Sequence, residues 1–175
     1  MMTKYAYLAG GCFWCITPIF REIDGVISVA SGYCGGDEEN PVYEQVKAQK
    51  THHRETIRVE YDPEKVSFEQ LLNIFLECVD PFDAGGQYID RGESYTLAVF
   101  CTDEADRFTA EERLQDLAEE EGEWPAVSIE PFKAFWPAEE YHQDYDLKNP
   151  EAFEKEWQDS GRPFSCPIRK IRNKK

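Results

Sequence analysis

Six consecutive residues, Gly10-Gly11-Cys12-Phe13-Trp14-Cys15, have the types and order that thiol chemistry needs. A cysteine attacks as its thiolate, so its surroundings must lower its pKa or supply a base. The preceding Tyr5-Ala6-Tyr7-Leu8-Ala9 reads as a strand, and Ile16, Ile19, Phe20 and Ile23 follow at helical spacing. Two glycines between strand and helix permit a tight turn with unusual backbone angles. Cys12 is therefore expected at the helix start, where free N–H groups and the positive dipole end favour a thiolate. Phe13 and Trp14 set an apolar surface beside it. A cysteine without such a context would read as an inert core residue, because cysteine is among the most buried types. The glycine turn and the helix start move Cys12 toward reactivity.

Cys12 and Cys15 also form a C-x-x-C, which in a reducing compartment suggests disulfide exchange or a metal. Structural zinc takes four ligands, often from two such pairs. No second C-x-x-C exists, and the spacing of Cys34, His52 and His53 does not replace it. No metal is expected. Candidate carboxyls are Glu55, at the mouth of a strand just after two histidines, and Asp90, in a loop bounded by glycines. A carboxylate chosen blindly lies on the surface. His52, His53 and His142 read as structural or solvated, with no catalytic role.

The elements that must position these residues follow from pattern. Val26 to Ala30 reads as a strand ending in a glycine-rich loop, Ser31 to Gly36, and Asn40-Pro41 turns toward Tyr43. Thr56 to Tyr61 alternates, with Ile57, Val59 and Tyr61 on one face. Ser67-Phe68-Glu69-Gln70 is a capping box ahead of a helix whose stripe is Phe68, Leu71, Leu72, Phe75 and Val79. Phe82 to Ser94 reads as a long loop, and Tyr95 to Cys101 as an apolar strand. Asp103 caps a helix to about Glu121 with Phe108, Leu114 and Leu117 inward. Val127 to Ile129 is a short strand, Phe132 to Pro137 an aromatic loop, and two short helices cover 139–147 and 151–158. Residues 160–175 change composition toward proline and basic residues and read as a mobile tail after a body of 1–159.

A chain of 175 residues fits one domain with a real core. The net charge of −16 argues against nucleic acid and against an anionic membrane surface. No run of about 18 apolar residues exists, so no membrane span is expected. The first residues reach glycines too soon for a secretion signal, which predicts a cytoplasmic protein. Its six cysteines are then expected as thiols rather than as a disulfide framework.

Six collinear stretches resemble the peptide methionine sulfoxide reductase A family. Gly10 to Trp14 carries its G-C-F-W. Gly32-Tyr33-Cys34-Gly35-Gly36 is similar to G-Y-x-G-G, and Asn40 to Val46 to N-P-x-Y-x-x-V. Thr51 to Glu55 resembles T-G-H-x-E, Asp80-Pro81 with Gln87 to Tyr95 the D-P and D-x-G-x-x-Y pair, and Phe135 to Tyr145 F-Y-x-A-E-x-Y-H-Q-x-Y. The resemblance runs from Gly10 to about Pro150. It implies an α/β (α+β) domain, a two-layer sandwich with a ferredoxin-like core and long loops. It implies reduction of the S epimer of methionine sulfoxide, free or in proteins. Cys12 would attack the sulfoxide sulfur, and Glu55 would protonate the departing oxygen. Tyr43 and Tyr95 would hydrogen-bond that oxygen, and Asp90 would complete the polar side. Phe13 and Trp14 would cage the S-methyl group. The products would be methionine and a Cys12 sulfenic acid.

The resemblance also implies recycling through a disulfide by thioredoxin or a similar dithiol, with no metal or organic cofactor, in a monomer. The resolving cysteine it implies is Cys166, in the tail. Cys15 is the rival and Cys34 a third possibility, whereas Cys78 and Cys101 sit in core patterns. Three positions depart from the family: Cys15-Ile16-Thr17 stands where it has Gly-x-Glu, His52 replaces a glycine, and Lys47 stands where some members carry cysteine. Two other functions fit part of the sequence: a general dithiol–disulfide oxidoreductase using Cys12 and Cys15, and a zinc-binding interaction module. Neither accounts for Tyr43, Glu55, Asp90 and Tyr95.

Overall fold

Alternation of small and large apolar residues makes β1 (Lys4–Ala9) a strand buried on both faces. Ala6 and Leu8 enter the main core, while Tyr7 and Ala9 enter a smaller cluster behind the sheet. The computed structural model describes residues 2–162. After β1 come α1 (Phe13–Arg21), β2 (Val26–Cys34), the short α2 (Tyr43–Lys47), β3 (Arg54–Tyr61) and α3 (Phe68–Cys78). A small hairpin follows, β4 (Gly86–Gln87) with β5 (Asp90–Arg91), then a 3-10 turn at Glu93–Tyr95 and β6 (Leu97–Cys101). The chain continues through α4 (Glu104–Glu121), β7 (Val127–Pro131), β8 (Phe135–Pro137), a 3-10 turn at Glu140–His142, α5 (Tyr145–Lys148) and α6 (Pro150–Asp159).

The main sheet has the order β7-β6-β1-β3-β2-β8. Only β6 and β7 pair in parallel; the other neighbours are antiparallel. The apolar sides of α1 and α3 form the core with Leu8, Ile57, Val59 and Val99. Fully buried residues such as Leu72 and Phe75 each contribute roughly 1.5–3 kcal/mol of burial. Behind the sheet, Tyr7 stacks on Phe132 with ring centroids 4.0 Å apart. Among the described residues, no helix is long and apolar enough to cross a membrane.

Several sequence expectations need correcting. The strand expected to stop at Ala30 runs on to Cys34, because β3 pairs with it from Ser31↔Ile57 to Cys34↔Arg54 and β8 pairs on its other edge. The expected aromatic loop supplies that second neighbour. Gly32 is there for close approach: a Cβ would meet the Phe135 ring at 2.3 Å and the Trp136 carbonyl oxygen at 2.5 Å. Gly35, with φ +95°, turns the chain out of the strand. Phe108 is exposed, not inward. The buried stripe of α4 is Ala110, Leu114 and Leu117, and Phe108 lies about 200° around the helix from Ala110. Within the stretch expected as a tail, Ser160 and Arg162 are buried. Residues 163–175, including Cys166, lie outside the described residues.

The expected capping box is formed. Ser67 Oγ accepts from the Gln70 N–H at 3.1 Å, and Gln70 Oε1 accepts from the Ser67 N–H at 2.9 Å. Ser67→Ala is expected to lower stability by about 1 kcal/mol, read from the urea midpoint at unchanged slope. An unchanged midpoint would show that the box adds nothing to α3.

Candidate active site

Cys12 is the N-cap of α1, as its sequence context requires. The two glycines before it act differently. A Cβ on Gly10 would meet the Phe75 ring at 2.9 Å and Ile16 at 3.0 Å, so Gly10 lets the turn press onto the core. Gly11 has φ +81°, and its Cβ would meet Gln87 Cβ at 2.8 Å. Gln87 is itself fixed, accepting from the Asp80 N–H at 2.8 Å and donating to the Asp80 carbonyl at 2.9 Å. The small hairpin is thereby locked against the cysteine turn.

A cavity of about 180 Å³ opens beside Cys12. Trp14, Tyr43, Glu55, Asp90 and Tyr95 line it, residues brought by α1, α2, β3, β5 and the 3-10 turn before β6. Phe13 does not line it. Its ring is buried against Tyr33 and His142, centroids 6.0 and 5.2 Å away. What Phe13 offers the site is its N–H, which donates to Glu55 Oε1 at 3.3 Å. The cavity is completed by residues that sequence reasoning missed, Lys47, Ile89, Glu156 and Ser160, with Cys15 at its base. Glu156 and Ser160 belong to the C-terminal helical segment, and nothing in its surface-like pattern signals the cavity.

Glu55 is 2% exposed. Burial, opposed by the Phe13 N–H and reinforced by Asp90, pushes its carboxyl up to about 8, so it is protonated near pH 7. Burial also raises Asp90, and burial together with Glu55 raises the Tyr43 and Tyr95 hydroxyls, which remain proton donors. Cys12 departs from expectation. Its bond with Cys15, burial, and the carboxyls of Glu55 and Asp90 raise it, and this outweighs the helix start. Cys15 is lowered, by its bond with Cys12 and by the Arg162 guanidinium.

Residues from the C-terminal part hold the cavity wall. The Trp14 indole N–H donates to His142 Nδ1 at 3.0 Å, and its ring stacks on Tyr145 at 3.7 Å. His142 can accept because burial lowers its pKa to about 4, leaving it neutral. Glu139 accepts from the Tyr43 N–H at 3.1 Å and from the Tyr33 hydroxyl at 3.2 Å, anchoring α2. Gln143 clamps β2 through Ser31, accepting its N–H at 2.9 Å and donating to its carbonyl at 2.8 Å. At the departure Thr17, the hydroxyl shares a hydrogen bond of 3.3 Å with Ser31. His52 lies outside the cavity on Glu93, 3.1 Å away. His53 accepts from the Gly36 N–H and bonds the Glu38 carbonyl, a structural pairing.

The other cysteines separate cleanly. Cys34 is buried in the cluster behind the sheet, its thiol pushed up to about 12 by burial. It packs in a different cluster from Cys12. Cys78 and Cys101 are buried in the main core. Among the described residues, no group of three or more His, Cys, Asp or Glu could hold a metal ion.

The fold and cavity define a thiol redox protein with a buried acid facing a helix-capping cysteine. The comparisons with known proteins make the class specific. The profile of the peptide methionine sulfoxide reductase family matches residues 4–164. Peptide methionine sulfoxide reductase MsrA 2 of Staphylococcus aureus strain Mu50 is 47% identical over 165 residues, covering 93% of each chain. Peptide methionine sulfoxide reductase MsrA of Ligilactobacillus salivarius is 49% identical over 155 residues, covering 87% of this chain and 90% of its own. Mxr1 of Saccharomyces cerevisiae in reduced form superposes with a TM-score of 0.81 at 30% identity, covering 85% of this chain and 87% of the other. Methionine sulfoxide reductase A of Corynebacterium diphtheriae gives 0.77 at 29% identity, covering 85% and 76%. The chain belongs to the peptide methionine sulfoxide reductase family.

The buried acid has a consequence for stability. A folded pKa of about 8 against an ordinary 4.5 means that the native state holds this proton more tightly than the unfolded chain. Stability from this group is therefore full below pH 4.5 and is lost as pH rises toward 8. Glu55→Gln is expected to be more stable than the parent at pH 9, by on the order of a few kcal/mol, with the gap closing toward pH 4. Urea midpoints across pH test this; parallel pH curves for the two proteins would refute a buried neutral Glu55.

Proposed function

We propose that this protein reduces the S epimer of methionine sulfoxide, free or within proteins, and is recycled by thioredoxin or a similar dithiol. The observation that carries the reading is the meeting of Cys12, Glu55, Tyr43, Asp90, Tyr95 and Trp14, from distant parts of the chain, around one cavity. In this mechanism the Cys12 sulfur attacks the sulfoxide sulfur as a thiolate. Glu55 gives its proton to the sulfoxide oxygen and becomes a carboxylate. The attack joins the Cys12 sulfur to the substrate sulfur; this S–S bond and the substrate S–O bond then break as the hydroxyl passes to the Cys12 sulfur, so the substrate sulfur is reduced to methionine and the Cys12 sulfur is oxidised to a sulfenic acid. Tyr43 and Tyr95 donate hydrogen bonds to the oxygen as charge develops on it. Asp90 completes the polar wall, and Trp14 is the apolar wall for the S-methyl group. Phe13 acts behind them, through its N–H on Glu55.

The thiolate arises at Cys12, which lines the cavity together with Cys15. A second thiol then condenses with the sulfenic acid, and Cys15 and Cys166 are the candidates. The strand order β6-β1-β3-β2, with α1 and α3 in the crossovers, supports a ferredoxin-like βαββαβ core in two layers. The catalytic body takes in Arg162, the protein acts as a monomer, and the cytoplasm suits its thiols. A general dithiol oxidoreductase would share the Cys12–Cys15 pair but leaves the convergence of Tyr43, Asp90 and Tyr95 on the cavity unexplained.

Racemic methionine sulfoxide with dithiothreitol, followed by chiral analysis, tests the function. Loss of the S epimer alone is expected, with no turnover by Cys12→Ser. Turnover of insulin disulfides without sulfoxide turnover would favour the dithiol reading instead. Glu55→Gln is expected to lose roughly 10²–10⁴-fold in kcat, and the parent's rate should fall as pH rises through about 8, where the acid ionises. A rate that keeps climbing past pH 9 would remove Glu55 from the role of acid.

A further inference from the structure

The inference concerns substrate choice, and it rests on the reading of the cavity as the place where methionine sulfoxide is reduced. Small-molecule sites usually enclose roughly 300–1,000 Å³. At about 180 Å³ this cavity takes one side chain, not a length of peptide. Its depth is graded. Cys15 and Glu55, 4% and 2% exposed, lie at the floor, whereas Lys47, Ile89 and Glu156 are exposed and mark the mouth. A methionine sulfoxide whose sulfur reaches Cys12 therefore leaves its α-carbon, with the groups on either side of it, at that mouth.

The mouth carries one charge of each sign, from two anchored elements. Lys47 ends α2, which buried Val46 holds to the core and Glu139 holds at its first turn through the Tyr43 N–H. Glu156 lies on α6 between the buried Phe153 and Trp157. The hairpin tip is fixed to the end of that helix, the Ile89 N–H donating to the Ser160 carbonyl at 3.4 Å. Other charges on α6 are engaged, Lys155 with Asp159 and Glu154 with Gln158. Among the described residues, the Lys47 ammonium and the Glu156 carboxylate have no salt-bridge partner. The ammonium lies over the Tyr43 ring, itself part of the cavity wall, at 5.6 Å. Both charges reach Asp90 inside the cavity: burial raises its carboxyl, Arg162 opposes this, Glu156 adds to it and Lys47 opposes it. A protein with a net charge of −16 repels carboxylates, and Lys47 is the cation among the residues lining this cavity.

We propose that Lys47 and Glu156 are specificity-determining residues that favour the free amino acid, Lys47 taking the α-carboxylate of methionine sulfoxide and Glu156 its α-ammonium. These are the charges nearest to the side chain that fills the cavity. Within a protein both groups are neutral amides, and neither pairing forms. The two residues take no part in bond breaking; they add affinity for a substrate that brings both charges. An exposed ion pair of this kind contributes roughly two- to fivefold. Selection is therefore graded, and methionine sulfoxide within proteins is still accepted.

The test uses S-epimer substrates that carry both charges, one or none: methionine sulfoxide, its N-acetyl acid, its amide and its N-acetyl amide. Single turnovers with the full-length, reduced enzyme in excess isolate the sulfoxide step from recycling. They are run at about pH 6.5, where the α-amino group is protonated. The parent should prefer the free amino acid to the doubly blocked form by about fivefold or more. Lys47→Glu should lower the rate ratio of N-acetyl acid to amide by about tenfold, and Glu156→Lys should raise it by a similar factor, because each reversal turns an attraction into a repulsion. Ratios taken within one variant cancel any general damage to the fold. Salt at about 1 M, where screening acts over ~3 Å, should bring the parent's preference toward one. Unchanged ratios in both variants overturn the inference. So does an equal shift in Glu121→Lys, a reversal on α4 outside the cavity lining, since the effect would then belong to the overall field. Failure of the parent to reduce any of the four substrates overturns the proposed function and this inference with it. Reduction of all four without charge dependence overturns the inference alone.

Discussion

The hydrogen bond from the Phe13 N–H to Glu55 ties together the two halves of the proposed chemistry. It joins the first turn of α1, which carries Cys12, to β3, which carries the acid. In the proposed mechanism Cys12 and Glu55 serve each other only at a fixed separation. The bond also restrains the carboxyl: one backbone donor favours ionisation, yet burial outweighs it and leaves Glu55 protonated near pH 7. The rest of the structure can be read as what keeps this junction dry and in place. The helices α1 and α3 bury its core side, and the hairpin β4–β5 closes over the glycine turn.

The outer wall depends on the C-terminal part of the chain. Glu139, His142 and Gln143 reach back to Tyr43, Trp14 and Ser31. His142 works through its neutrality, since an imidazolium could not accept from the indole N–H. A segment more than a hundred residues away in sequence thus sets the orientation of residues beside Cys12. The departure at Thr17 is absorbed locally, by a hydroxyl pair with Ser31 in place of a charge.

The same logic of burial divides the thiols. Burial raises the thiols of Cys34 and Cys101, which disfavours their thiolates, and Cys78 is buried in the main core. Cys12 and Cys15 sit where a hydrogen bond between them and a guanidinium from the far end of the body bias which sulfur carries the charge. The helix start alone would have favoured Cys12. The contact with Cys15, burial and the neighbouring carboxyls raise Cys12, while the contact with Cys12 and the Arg162 guanidinium lower Cys15, so the surroundings work against that preference.

Local pattern was enough to read much of this from sequence. The strand–glycine–helix context of Cys12, the alternation in β3 and the capping box of Ser67 depend on neighbours within a few residues, and the structure contains all three. The family motifs in their collinear order named Glu55, Tyr43, Asp90 and Tyr95, and these line the cavity. What pattern could not reach was decided by contacts between distant segments. β2 runs through four residues of loop-like composition, Ser31-Gly32-Tyr33-Cys34, because β3 and β8 supply partners on both edges. Phe108 reads as core by type, but only the packing of α4 shows which of its faces is covered. The cavity places of Glu156 and Ser160, the burial of Arg162 and the electrostatic bias of the two thiols follow from where the C-terminal segment docks. Docking depends on the summed shape and charge of surfaces far apart in sequence, so no local spacing encodes it.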